Sequence, residues 1–205
     1  MKNYLRKFFV GIKVNRIIEF LTLSDILVLS GWGLVTPIIA VFFTEQVEGG
    51  SVALAGLASA VYFLVKSFVQ IPIARYIDLK RGEWDDYWIM IAGSLLITTS
   101  AFLYILVKYP WQVMVVQAIY GIGGALSYPS WLAIFTRHVD RHEEGLEWSL
   151  YYTATDLGSA LAGAIGGLMA ATFGYNLVFA VAGVMSLGGT LFLAGVGRRI
   201  KKRAW

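Results

Sequence analysis

Residues 52–82 read VALAGLASAVYFLVKSFVQIPIARYIDLKRG. From Val52 to Ile73 a single charge, Lys66, interrupts an otherwise apolar run. Extended to Ile77, the stretch is long enough as a helix to cross a hydrocarbon core, which takes roughly 20 residues. Its apolar residues are continuous and do not alternate, so it reads as a helix and not as a barrel strand. Five further runs of the same kind lie around it, near Ile17–Phe43, Tyr87–Val107, Trp111–Thr136, Trp148–Thr172 and Tyr175–Val196. The breaks fall at Glu45–Gly50, Asp78–Asp86, Lys108–Pro110, Arg137–Glu147 and Phe173–Gly174. The expected fold is an all-α membrane protein of six transmembrane helices over residues 17–197. A basic segment, 1–16, precedes it and a basic tail, 198–205, follows.

Composition agrees. Of 205 residues, 58% are hydrophobic and only 15% charged, whereas a soluble domain is about half apolar and about a quarter charged. This chain has too little charge to coat a soluble globule. The apolar content excludes disorder. The absence of Cys excludes a disulfide scaffold and thiolate-held metals. No cofactor and no metal site is expected: His138 and His142 are four apart, but a third ligand is lacking.

The distribution of Lys and Arg sets the orientation. Lys2, Arg6, Lys7, Lys13 and Arg16 precede the first span; Arg75, Lys80 and Arg81 flank the second connection. Arg137 and Arg141 flank the fourth, and Arg198, Arg199, Lys201, Lys202 and Arg203 follow the sixth. That places 15 of the 17 basic residues on one side, so both termini are expected in the cytoplasm, as an even number of spans requires. Charge spread in this way does not make the single patch that nucleic acid needs. The first span is too long, and carries Asp25 too deep, for a cleavable signal peptide. Residues 3–12 form an ordinary basic flank or lie along the membrane surface. No sequence repeat is evident.

Three ionisable residues lie well inside spans: Asp25, Lys66 and Asp156. Each costs about 2.5–3.5 kcal/mol or more in hydrocarbon, so each is expected to face protein or water. At 1.5 Å per residue, Asp25 and Asp156 lie roughly 12 Å into spans 1 and 5, and Lys66 roughly 16 Å from the end of span 2. Opposite charges on three helices are thereby expected in one layer. They continue in helical stripes that include Trp32 on span 1, Tyr62 and Gln70 on span 2, Gln117 and Tyr120 on span 4, and Tyr152 on span 5. The expectation is a substrate or proton pathway lined by spans 1, 2, 4 and 5, with spans 3 and 6 turned toward lipid. Lys66 would exchange partners between Asp25 and Asp156 or meet a bound anion; a buried structural ion pair and a snorkelling Lys66 are the alternatives. Pro37, Pro72 and Pro129 are candidate kinks.

The connection Ala74-Arg-Tyr-Ile-Asp78-Leu-Lys80-Arg81-Gly82 resembles the loop 2–3 signature of the major facilitator superfamily, with Ala74 where that family has Gly and Leu79 where it has a base. Gly158-Ser-Ala-Leu-Ala-Gly163-Ala-Ile-Gly166-Gly167 is similar to the glycine-rich fifth span of its antiporters, without their Pro. The same residues serve generic helix packing, with Gly163 and Gly167 as a GxxxG pair. Gln117 stands where the superfamily's fourth span carries the Arg tied to proton transfer. The resemblance implies one half of a twelve-span transporter, with no enzymatic activity. Its partners would be the lipid bilayer, a small-molecule substrate, and a second six-span half or a second copy in a homodimer. It also implies a latch, in which Asp78 meets the start of span 5 of the opposite half. The expected function is secondary active transport by alternating access in the cytoplasmic, or cell inner, membrane. Proton coupling would fall to Asp25 or Asp156. The competing reading is a truncated or non-transporting membrane subunit.

Overall fold

The computed structural model describes residues 14–80 and 82–203, and among them every regular element is a helix. They are α1 (Arg16–Val35), α2 (Ile39–Glu45), α3 (Val52–Lys80), α4 (Glu83–Leu103, continued by a 3-10 turn Tyr104–Leu106), α5 (Pro110–His138), α6 (Glu144–Phe173) and α7 (Tyr175–Arg203). Residues 3–12 and Arg81, which carry two of the readings above, lie outside the described residues.

Local chemistry sets the ends. Asn15 caps α1 by accepting the Ile17 amide at 3.0 Å, and its own amide reaches the His138 carbonyl at the end of α5. Ser51 Oγ accepts the Leu54 amide at the start of α3. Gln112 folds back to accept the amides of Lys108 and Tyr109, with Pro110 as the first helical residue of α5; a proline costs nothing there because that amide has no helical partner anyway. Glu83, Asp85 and Asp86 occupy the first turn of α4, and Glu144 and Glu147 that of α6, where carboxylates meet the positive helix end. Of the three prolines, only Pro37 interrupts its span, between α1 and α2, because its ring collides with the carbonyl four residues back. Pro72 and Pro129 lie inside unbroken helices.

Packing follows a palindrome. Neighbour to neighbour, the long helices run α3, α5, α4, α7, α1, α6. Exchanging the first three spans (α1 with α2, α3, α4) for the last three (α5, α6, α7) reverses this order into itself. A repeat invisible in the sequence is therefore present in the topology, as in transporters built from inverted repeats. The result is two three-helix groups, α3/α5/α4 and α6/α1/α7, joined where α4 packs on α7 and, more lightly, where α1 meets α5.

The packing bears on two expectations. Among the described residues, five helices are long and apolar enough to cross a membrane by length and composition, and α5 is not among them; Gln112, Gln117, Tyr120, Ser127, Tyr128 and Ser130 dilute its hydropathy, although it has 29 residues. Spans 3 and 6, expected to turn toward lipid, pack on each other and keep one side exposed, with Leu95 on α4 and Val184 and Leu191 on α7. α4 and α7 meet at the middle of the row, and 39% and 44% of their apolar cores are buried, against 11% for α3 and for α6. A helix at the end of a row has one main neighbour, which leaves Phe63, Phe68 and Ile71 of α3 and Leu161, Ile165 and Leu168 of α6 exposed.

Candidate functional site

Glycines let the central helices approach their neighbours. A Cβ at Gly31 of α1 would stand 2.9 Å from the Ala182 carbonyl of α7, and one at Gly33 would stand 3.0 Å from the Ser159 carbonyl of α6. On α5, Gly121 meets the Tyr62 carbonyl of α3 and Gly123 the Gly93 carbonyl of α4 in the same way. Each central helix thus carries a Gly-x-Gly pair whose members face its two flanking helices. On α6 the packing face is Gly158, Ala162 and Gly166, against Ser30, Gly33 and Leu34 of α1. Gly163 is only in ordinary contact there and Gly167 meets nothing within 4 Å. The close-packed face of α6 is therefore displaced from the Gly163/Gly167 pair.

Close packing brings the polar residues of each group together. In the α1/α6/α7 group, Tyr151 Oη donates to Asp25 Oδ2 at 2.8 Å, linking α6 to α1. The Tyr151 ring is buried among Trp131, Phe135 and Trp148, so its hydroxyl is held in place and fixes the Asp25 carboxylate. In the α3/α5/α4 group, Lys66 Nζ lies 5.2 Å from the Tyr128 ring and 5.8 Å from the Tyr62 ring. Such cation–π contacts contribute about 0.5–2 kcal/mol, more when water is excluded. The two groups meet through a stack: Trp32 on Tyr120 at 4.1 Å and Tyr120 on Tyr62 at 4.7 Å, with planes within 26° of parallel. Trp32 Nε1 is buried without a hydrogen-bond partner among the described residues, which leaves one donor free in this stack.

Of the three charges expected in one layer, no two form an ion pair among the described residues. Lys66 is held by rings, not by Asp25 or Asp156. The acids belong to one group and the lysine to the other, and the aromatic stack lies between those groups. Asp156 is exposed on α6, as is Tyr152. Gln117 is buried in α5, and Gln70 is half-buried on the α3 face that continues through Ala74 to Asp78. Sequence reasoning missed Tyr151 as a partner of Asp25; only the fold reveals a bond 126 residues apart.

It also missed an ionic cluster where α4 and α6 begin and α5 ends. Arg137 donates to Asp86 at 2.5 Å, and the Asp86 side chain is 1% exposed. His138 Nδ1 donates to the Ile134 carbonyl, and its Nε2 stands 3.8 Å from Glu83. Buried Glu147 accepts the Asp140 amide. His138 is thus engaged away from His142, and among the described residues no group of three acids or histidines is placed to hold a metal. In the loop signature, Asp78 and Lys80 lie on the last turn of α3, which continues through residues read as a connection, and Gly82 precedes α4. Lys80 lies over the Tyr76 ring and 3.9 Å from Asp85. Asp78 is exposed and pairs with no described residue.

Six long helices in this order have counterparts among known proteins. The sequence model described as Major Facilitator Superfamily matches residues 21–204. The chain belongs to the Major Facilitator Superfamily. Members of this superfamily are transporters and not enzymes. Curated relatives include the multidrug resistance protein MdtH of Yersinia enterocolitica and that of Yersinia pseudotuberculosis. Each is 27% identical over 147 residues, a stretch that covers 72% of this chain and 35% of theirs. Among solved structures, the POT family transporter PepTSo superposes with a TM-score of 0.67 at 18% identity, over 92% of this chain and 38% of its own. The chain thus spans little more than a third of the length of the relatives it matches.

Proposed function

We propose that this chain is a six-span half of a secondary active transporter in the cytoplasmic membrane, with both termini in the cytoplasm. It moves a small solute by alternating access and is completed by a second six-span bundle, in the simplest case another copy. The observation that carries this reading is Asp156, exposed on α6 among Tyr152, Leu157 and Leu161. A carboxylate at that depth cannot face lipid, so this side of α6 faces protein or a water-filled cavity. The exposed apolar side of α3 supplies the matching surface for such a partner.

Within the half, the solute binds against the Trp32–Tyr120–Tyr62 stack. Flat aromatic faces suit an amphipathic molecule, in keeping with the multidrug resistance named for the Yersinia relatives. Asp25, held by Tyr151, carries the coupling proton, and Lys66 on the opposite group answers its charge. Gln117, which cannot carry a proton, leaves this work to the acids. Asp78 latches onto the start of α6 of the partner half, where free amides and the positive helix end receive a carboxylate.

The test is native mass spectrometry of the protein released from nanodiscs, together with pH-driven uptake in proteoliposomes. Two bundles per particle and uptake abolished by Asp25→Asn are expected. A single chain that transports, or an Asp25→Asn variant with full pH-driven uptake, overturns the reading. The alternative, a subunit or fragment with no activity of its own, is favoured by the 35% coverage of the relatives. Dimers that fail to transport any solute screened would establish it.

A further inference from the structure

A groove of about 1030 Å³ runs along α7 beside α1. Its floor is low because Gly188 and Gly195 are seven residues apart, on one face of the helix. Phe20 of α1 forms a wall: a Cβ at Gly195 would stand 2.6 Å from the edge of its ring. Leu191 and Phe192, 67% and 40% exposed, form the other side. One end is closed by Arg198, Arg199 and Lys201, which form no ion pair with a described residue.

The dimensions and the charge name an occupant. From Gly188 to Arg199 the helix rises about 16 Å, close to half of the roughly 30 Å hydrocarbon thickness and so the depth of one leaflet. We infer that this groove binds one anionic phospholipid, its acyl chain along Gly188–Gly195 and its phosphate at Arg198 and Arg199. Basic pockets between spans hold anionic headgroups in this way, and guanidinium groups pair with phosphate through two parallel hydrogen bonds. A soluble anion would leave the apolar floor uncovered. Lys2, Arg6, Lys7 and Lys13, the charged residues before Val14, have the same sign as the rim and do not complement it. The site lies on α1 and α7, away from the exposed faces of α3 and α6, so it does not depend on how the second half is supplied.

The experiment is native mass spectrometry from nanodiscs of phosphatidylcholine doped with phosphatidylglycerol, counting lipids retained by the full chain. Wild type is expected to keep one phosphatidylglycerol in preference to phosphatidylcholine. Arg198→Gln with Arg199→Gln should weaken that retention roughly thirtyfold, two basic contacts being removed. Arg75→Gln with Arg141→Gln removes the same charge elsewhere and should retain the lipid. Leu191→Trp fills the groove without changing charge and should expel it; this variant decides the matter if the double arginine variant does not fold. Equal retention of both lipids, equal loss in both double variants, or an undiminished lipid in Leu191→Trp overturns the inference. Loss of the lipid to added inorganic phosphate does so too, since that would make the rim a simple anion site.

Discussion

Replacing Gly166 by Ala should destabilise the bundle far more than the same change at Gly167, its neighbour. At Gly166 the added carbon meets the Leu34 carbonyl oxygen, and also its carbonyl carbon and Cα, both at 2.7 Å. All three are backbone atoms of α1, so no side-chain rotation relieves the overlap and α6 must move off α1. Overpacking of this kind costs about 1–3 kcal/mol, and a backbone obstacle belongs at the upper end. For a chain of this size, about 2–3 kcal/mol lowers the unfolding midpoint by roughly 4–12 °C. At Gly167 the carbon meets nothing within 4 Å, and the gain in helix propensity is up to about 1 kcal/mol. Gly158→Ala falls between, because the atom in its way is Ser30 Oγ, which can rotate aside. The assay is thermal unfolding in detergent followed by circular dichroism. The expected order of midpoints is Gly167→Ala at or above wild type, then Gly158→Ala, then Gly166→Ala. Equal midpoints for the 166 and 167 variants would refute this account of how α6 sits on α1.

Arg137→Ala should cost about 3 kcal/mol, because it strands the fully buried Asp86 carboxylate; a double-mutant cycle with Asp86→Asn in chemical denaturation should show non-additivity, and strict additivity would dissolve the pair. Tyr120→Ala removes the middle ring of the three-ring stack and should cost about 3–5 kcal/mol of stability, read as a lower midpoint; an unchanged midpoint would mean the stack does not join the two groups. The proposed latch joins the cytoplasmic ends of the two halves and so holds the outward-facing state. Asp78→Asn should shift a dimer toward its inward-open form, measured as altered spin-label distances across the two halves, and unchanged distances and transport would remove the latch.

The long helices were legible because 20-residue apolar runs broken by charge admit few other readings, and Tyr62, Lys66 and Gln70 fall four residues apart on one of them, α3. Partnership was not legible. The bond from Tyr151 to Asp25, and the rings of Tyr62 and Tyr128 around Lys66, depend on which helices become neighbours, and that order is not written in any one span. The glycines were read as a GxxxG pair at 163 and 167, but the close face is 158, 162 and 166; spacing four is common to both, and only the rotation of α6 distinguishes them. The palindrome escaped for a similar reason. It is a relation between contacts, and the residues making equivalent contacts differ: Gly31 faces Ala182 on one side of the seam, while its counterpart Gly123 faces Gly93.

Those Gly-x-Gly pairs determine how α1 and α5 can vary. Successive residues on a helix are about 100° apart, so Gly31 and Gly33, like Gly121 and Gly123, point in nearly opposite directions. Each of these two helices is a lamina clamped on both flat sides, with its edge left for larger side chains. Trp32 and Tyr120 occupy facing edges and meet each other. On the proposed binding of the solute against the stack, a change of substrate is accommodated by exchanging one edge ring for another while the clamped sides stay as they are. In a library of all single substitutions, these positions should separate: the four glycines intolerant of any side chain, and Trp32 and Tyr120 tolerant of another flat ring but not of its loss.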